Sequence, residues 1–147
     1  MYTDSLLFMA DGQRINNADG IALTLFDKSI PLSKVSRDVG VGKAVPFLFT
    51  LLQPLTGVAN IIWVELITAS DAAMTADVEI LARSGSYNAA DLAVNPTFSM
   101  NVPEVGRDLD LFLGGRINNT VAPVAGLGND IYFNMQGVID VQSAHIR

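Results

Sequence analysis

The stretch that decides the fold is Ile61-Ile62-Trp63-Val64-Glu65-Leu66-Ile67-Thr68, residues 61 to 68. Its β-branched and aromatic residues are typical of a strand. One set of alternate side chains, Ile62, Val64 and Leu66, is wholly apolar, and the other set is largely apolar around Glu65. Since successive side chains of a strand point to opposite faces, we predict a strand that is buried on both sides or that meets a partner.

Similar short runs recur along the chain, separated by clusters of glycine, proline, asparagine and aspartate. The other candidate strands are Ile21 to Phe26, Val45 to Leu52, Asp77 to Arg83, Thr97 to Val102, Asp108 to Leu113 and Ile131 to Val141. Single helical turns are indicated at 70–74 and at 88–92, with Ser70 and Asn88 as capping residues.

The longest stretches between strands, 27–43 and 114–130, contain several glycines and prolines, which favour long connections over tight hairpins. Long crossovers suit a Greek key or a jelly roll better than a meander. The sequence therefore predicts an all-β fold, a jelly-roll or Greek-key β-sandwich with long connecting loops. We expect one domain over residues 1–147, with 1–18 as a candidate N-terminal arm.

The composition combines 50% hydrophobic residues with only 16% charged residues and a net charge of -6. Ordinary soluble domains have about 25% charged residues, so we expect other chains to cover part of this surface. The alternative is that large buried β-sheets produce the same composition. No cluster of basic residues is present, which argues against a nucleic-acid partner. Without cysteine the chain has neither disulfides nor a cysteine-based zinc site. It has no long apolar run of the kind that spans a bilayer and no basic signal-type N-terminus, so we expect a protein made inside a cell.

Period-two alternation assigns faces to the strand at 77–83. Val78, Ile80 and Ala82 are predicted to point inward, and the charged residues between them outward. Leu81 falls on this otherwise polar face.

Phe112 falls on the polar face of its own strand, between Leu111 and Leu113, which are predicted to pack with Leu109. Together with Leu81 and Trp63, Phe112 is therefore a candidate for intermolecular contact. The alternative, that a loop folds over these side chains or that they are merely exposed, has equal support.

The segment "SRDVGVGKAVPF", residues 36–47, has a glycine pair followed by Lys43. A phosphate-binding P-loop needs a glycine five positions before its Gly-Lys-Ser/Thr, and Arg37 and Ala44 occupy the two critical positions instead. The segment also precedes a strand, whereas a P-loop follows one. We interpret it as a turn that leads into the strand at 45–52.

Residues suited to catalysis are sparse. The single histidine, His145, is two residues from the C-terminus, and no nucleophile motif or metal-binding histidine motif is present. Asp108 and Asp110 could act as an acid and base pair or bind calcium, but Arg107 and Arg116 offer ordinary ion-pair partners. We expect a protein that is not an enzyme and that uses no cofactor and no metal.

Three segments resemble, in the same order, segments of the jelly-roll capsid cement (decoration) proteins of tailed bacteriophages, of the podophage type. They are "TDSLLFMADGQ" at 3–13, "RDVGVGKAVPF" at 37–47 and "ILARSGSYNAADLAV" at 80–94. A looser match covers 102–111, although Asp108 and Asp110 stand where the family has aromatic and basic residues. The resemblance implies a β-sandwich that binds the outside of an HK97-like shell.

Membership in that family would give the chain specific partners and a location. The major capsid protein would be one partner, the chain itself would form a homo-oligomer such as a dimer or trimer, and no membrane or nucleic acid would be involved. The protein would lie on the virion exterior and bridge neighbouring capsomers after expansion. The alternative function is a phage tail or receptor-binding or carbohydrate-binding β-sandwich domain.

The N-terminal segment also contains candidate contacts with the shell. Leu6, Leu7, Phe8 and Met9 form an apolar run that could add a strand to a neighbour's sheet. In the alternative interpretation, the segment is the first strand of the protein's own sandwich. Under the first interpretation, deletion of residues 1–12 abolishes capsid binding and leaves a folded domain.

Overall fold

The computed structural model describes residues 2–15, 23–32, 45–52, 61–102, 111–119 and 132–139. About two thirds of them lie in strands. In chain order the elements are β1 Tyr2–Arg14, β2 Leu23–Leu25, β3 Ile30–Pro31, β4 Val45–Leu51, β5 Ile61–Ala69, β6 Glu79–Arg83, β7 Tyr87–Asn88, α1 Ala89–Val94, β8 Thr97–Val102, β9 Phe112–Asn119 and β10 Tyr132–Ile139. Within these ranges, no helix is long and apolar enough to cross a membrane.

The strands form two antiparallel sheets, which confirms the predicted all-β sandwich. The four-stranded sheet has the order β1-β10-β4-β8, and the six-stranded sheet has the order β2-β9-β5-β6, with β3 beside β9 and β7 beside β5. Four of the pairs are nested along the chain: β1 with β10, β2 with β9, β4 with β8 and β5 with β6. Such nesting brings distant parts of the chain together and makes the core depend on non-local pairing.

The core lies between the two sheets. The four-stranded sheet contributes Phe47, Phe49, Phe133 and Met135, each 0% exposed. Five aromatic rings form a continuous series across this core, with centroids 4.5–5.6 Å apart: Phe26, Phe133, Phe49, Phe98 and Tyr87. Rings at these separations pack favourably beyond the area that they bury.

Strand β5 is the best predicted element. Ile62, Val64 and Leu66 face the core as expected, and Ile67 and Ala69 on the opposite face are also 0% exposed. The strand is therefore buried on both sides over its second half, as the sequence indicated. The outer face of this half is covered by Met74 from the turn that follows β5.

Strand β1 lies in the protein's own sandwich, paired with β10. Its Met9 is 0% exposed and belongs to the main core of this chain, which disfavours the prediction of Met9 as an intermolecular contact. Gln13 joins β1 to the other sheet, since its amide donates to the Leu25 carbonyl and accepts from the Asp27 N–H. Deleting residues 1–12 would remove core packing, and we no longer expect a folded truncation.

Strand β6 contains a β-bulge that the alternation pattern could not reveal. Leu66 pairs with Ala82 and Ile67 with Ile80, so Leu81 is the extra residue. Two predictions fail as a result: Ile80 is 54% exposed, and Leu81 packs against the main core. Bulges of this kind shift a side chain from one face to the other.

Strand β9 continues through a glycine pair that the sequence assigned to a long connection. Gly114 and Gly115 are paired with Ile67 and Leu66 of β5, and the strand reaches Asn119. The prediction of a connection over 114–130 is therefore wrong for 114–119. A Cβ on Gly115 would lie 2.2 Å from Phe26 Cε2, which explains why a residue without a side chain stands here.

The helical turn predicted at 88–92 is confirmed as α1. Asn88 caps it, accepting from the Asp91 N–H, while the Asp91 carboxylate accepts from the Asn88 N–H in a reciprocal capping box. The segment 70–74 forms bends and turns instead of a helix. Met74 has a φ of 59°, which the helical conformation does not allow.

Candidate interaction face on the six-stranded sheet

The outer face of the six-stranded sheet, directed away from the core, carries a cluster of polar and aromatic side chains. The register places Trp63 opposite Asn118, and Glu65 opposite both Arg116 of β9 and Arg83 of β6. These five residues come from three adjacent strands. We call them the outer-face cluster.

Glu65 is the centre of the outer-face cluster and is only 5% exposed. Arg116 Nε donates to Glu65 Oε2 at 2.6 Å, and Trp63 Nε1 donates to Oε1 at 3.1 Å. Both carboxylate oxygens therefore have a donor. A charge-assisted bond of this length is among the stronger interactions that a carboxylate forms in a protein.

The pKa of Glu65 is lowered from its ordinary value of 4.5. Burial alone would raise this pKa, because it penalises the charged form. The hydrogen bonds from Arg116 and Trp63 and the positive charge of Arg116 outweigh that effect. Glu65 is consequently ionised at neutral pH, and folding favours its ionised form.

We expect this pair to make stability depend on pH in the acid range. Because the folded pKa lies below 4.5, the contribution of Glu65 is fully present above that pH and is lost as the pH falls through the folded value. Urea unfolding of wild type and Glu65→Gln should differ most at pH 7 and least near pH 3. An equal difference at both pH values would contradict the assignment.

Trp63 and Arg83 form the exposed rim of the outer-face cluster. The guanidinium carbon of Arg83 lies 4.5 Å from the ring centroid of Trp63, a cation–π distance. Trp63 is half-buried and Arg83 is exposed. Among the described residues, the interaction that the structure shows for the Arg83 guanidinium is this cation–π contact. Within the described part of the chain, its N–H donors are therefore available to another molecule.

Asn118 completes the outer-face cluster. Its Nδ2 is buried without a hydrogen-bond partner among the described residues. The Asn118 side chain also lowers the pKa of Glu65. A buried donor without a partner costs about 1–3 kcal/mol, so this position weakens the fold locally.

The other half of the same face is covered by the turn that follows β5. Met74 packs there against Ile67 and Ala69, with Phe112 at the margin. The Asp71 carboxylate holds the turn by accepting from the Thr75 N–H and hydroxyl and from the Ala76 N–H. Those hydrogen bonds lower the pKa of Asp71, and the bond from the Thr75 side chain has the largest effect.

The predicted contact residues are thereby distributed over different environments. Trp63 and Phe112 lie on the same outer face, Trp63 in its open half and Phe112 half-buried beside the covering turn. Leu81 packs inward, and Phe8 is half-buried in β1. For Phe112, the alternative of a loop folded over it agrees with the structure. The side chains of Leu6 and Leu7 lie outside the described residues.

Sequence reasoning missed Arg83 and Glu65 as members of a site. Arg116, considered with Arg107 as an ion-pair partner of Asp108 and Asp110, binds Glu65. Asp108 and Asp110 lie outside the described residues. One signal was available: Glu65 is the only charge in a strand that is otherwise apolar. A charge in such a place requires a partner.

The other candidate motifs of the sequence lie outside the described residues. They are the glycine-rich segment 36–44, the acidic pair Asp108 and Asp110, and His145. The described part of the chain contains no group of three or more acidic, histidine or cysteine side chains that could hold a metal ion. No protein-family model matches the chain, and no curated protein matches its sequence.

Proposed function

We propose that the protein is a non-catalytic capsid decoration protein, which binds the outside of a phage shell and bridges neighbouring capsomers. The proposal includes the jelly-roll topology. The observation that carries it is the nested strand order β1-β10-β4-β8 over β2-β9-β5-β6. Eight strands so arranged in two sheets agree with a jelly roll, a fold common in viral coat and lectin domains. The ordered sequence segments that resemble cement proteins favour the viral alternative.

The outer-face cluster supplies a surface for contact with the shell. Tryptophan and arginine are the residue types most enriched at the energetic centres of protein interfaces. Trp63 and Arg83 are already stacked, so little side-chain freedom is lost when a partner binds. Repetition of a modest contact over a symmetric lattice would multiply its effect. The major capsid protein is the proposed partner, and the virion exterior is the proposed location.

The test is co-sedimentation with expanded capsids that have been stripped of their decoration protein. We expect saturable binding at a fixed ratio to the shell subunit and a raised capsid melting temperature. Arg83→Ala should weaken binding at least about tenfold, as loss of an interface arginine commonly does. Lys28→Ala is the matched control, because it removes one exposed positive charge elsewhere in the chain.

One outcome would refute the proposed function, and another would refute only the proposed contact surface. Absence of any saturable binding by the folded wild-type protein would refute decoration of that shell. Equal binding by the two variants would show that the contact lies away from the outer-face cluster, while leaving the decoration function in place.

A carbohydrate-binding or receptor-binding domain is the second candidate, and the half-buried Trp63 beside polar side chains favours it. Sugar rings stack on exposed aromatic faces, however, and Arg83 already occupies one face of this indole. A glycan-array screen with wild type and Arg83→Ala distinguishes the two functions. Binding that increases when Arg83 is removed would support glycan recognition.

A further inference from the structure

The two sheets end in four edges, which are formed by β1, by β8, by β2 with the two-residue β3, and by β6 with the two-residue β7. Three of these edges carry features that disfavour pairing with another chain. Strand β1 has three register shifts against β10, β2 has only three residues, and β6 has its bulge between charged end residues. Bulges, short length and charge are the devices by which proteins protect the edges of their sheets. These three edges are therefore unfavourable for association.

The edge of β8 has none of these devices. Its sequence Thr97-Phe98-Ser99-Met100-Asn101-Val102 contains no charged residue and no proline, and it pairs with β4 without a register shift. Its other side has no strand partner among the described residues. An unprotected regular edge in a folded protein is a template for another strand.

The hydrogen bonds of β8 show which backbone groups are free. The Leu51 N–H donates to the Pro96 carbonyl at 2.9 Å, and in an antiparallel ladder bonded positions alternate. Thr97, Ser99 and Asn101 therefore direct their backbone groups away from β4. Within the described ranges, the one further hydrogen bond of these groups is from the Thr97 N–H to Asn95 Oδ1 at 3.4 Å.

We propose that β8 pairs with β8 of a second copy of this chain, antiparallel about a two-fold axis at Ser99. This register places Ser99 opposite Ser99 of the second copy and Thr97 opposite Asn101, so the free backbone groups meet. On the core side it places Phe98 opposite Met100. Polar side chains oppose polar ones and apolar side chains oppose apolar ones, as a self-complementary interface requires.

The self-complementary pattern of β8 is what favours a second copy as the occupant. The net charge of -6 makes two copies repel over most approaches. The six residues of β8 carry no charge, so this edge adds nothing to that repulsion. The half-buried Phe98, at the margin of the sandwich, would gain cover from Met100 of the second copy. This inference does not depend on the proposed function.

The first test is the mass of the free protein by sedimentation equilibrium. We expect a wild-type dimer and a folded monomer for Ser99→Pro, since proline removes an outward N–H and fills the edge without breaking the ladder to β4. Far-UV circular dichroism and the melting temperature establish folding. Wild-type protein that stays monomeric at its highest soluble concentration would overturn the inference.

Charged substitutions at position 99 test the two-fold axis itself. They also test the dimer if the proline variant fails to fold. Ser99→Lys and Ser99→Glu should each raise the dimer dissociation constant about fivefold, because like charges meet at the axis. An equimolar mixture of the two should regain dimers containing one copy of each. Ser86→Lys, exposed and outside β8, is the control. Dimers unaffected by charge at position 99 would place the interface elsewhere.

Discussion

Replacing Gly115 by alanine is expected to destabilise the protein by about 3 kcal/mol, as forced overpacking of a core does. The new Cβ would lie 2.2 Å and 2.6 Å from two ring carbons of Phe26, and 3.0 Å from the carbonyl oxygen of Glu65. Neither neighbour can move freely. The Phe26 ring packs against Phe133, and the Glu65 carbonyl belongs to the backbone of central strand β5.

The measurement is chemical unfolding of Gly115→Ala beside Gly85→Ala as a matched control. A Cβ on Gly85 would lie no closer than 3.8 Å to Tyr87, an ordinary contact, so this substitution should change stability by less than about 1 kcal/mol. Adding Phe26→Leu to Gly115→Ala should cost less than the sum of the two single changes. Equal effects of the two alanines would show that the ring of Phe26 does not require Gly115.

Gly114→Ala should be milder, because the clash there involves a flexible side chain. A Cβ at this position would lie 2.8 Å from Met74 Cε, the far end of a side chain with several rotatable bonds. The two glycines therefore differ in what they accommodate. Gly115 admits an aromatic ring of the core, and Gly114 admits the covering methionine on the outer face.

Replacing Arg116 by methionine is expected to cost about 2–4 kcal/mol at pH 7, because it leaves the Glu65 carboxylate buried without its counter-charge. The Glu65 side chain is 7% exposed and that of Arg116 is 23% exposed, so water can replace only part of the lost interaction. The loss should shrink in acid, where Glu65 becomes protonated. Protonation of Glu65 removes the unpaired buried charge, so Arg116→Met lowers the free energy of unfolding less at low pH than at pH 7.

A double-mutant cycle measures this coupling. Arg116→Met combined with Glu65→Leu should recover most of the stability that Arg116→Met loses, since an apolar pair can replace a buried ion pair at little cost. Glu65→Leu alone should also be destabilising, because it leaves the partly buried guanidinium without its carboxylate. Strict additivity of the two substitutions would mean that the 2.6 Å contact contributes little to folding.

The sequence predicted the strands whose signals are local. Runs of β-branched and aromatic residues located β4, β5 and β8 to within a residue or two, and the Asn88 cap located the helical turn. The double-sided apolar pattern of residues 61–68 predicted a strand that is buried on both sides or meets a partner, and β5 is buried on both sides over its second half. Each of these features depends on side chains that are neighbours along the chain, so alternation and propensity suffice.

Tertiary structure decided the features that depend on distant residues. The glycine pair in β9 has the composition of a turn, and it forms strand because Phe26 and Met74 fill the space that side chains would take. The bulge at Leu81 exposes Ile80, which periodicity placed in the core.

The outer-face cluster likewise brings together residues from separate strands, with Glu65 and Arg116 51 positions apart in sequence. Local pattern fixes which residues can form strands. The pairing of β9 with β5 fixes which charges meet, because register between distant strands is set by packing across the whole sandwich.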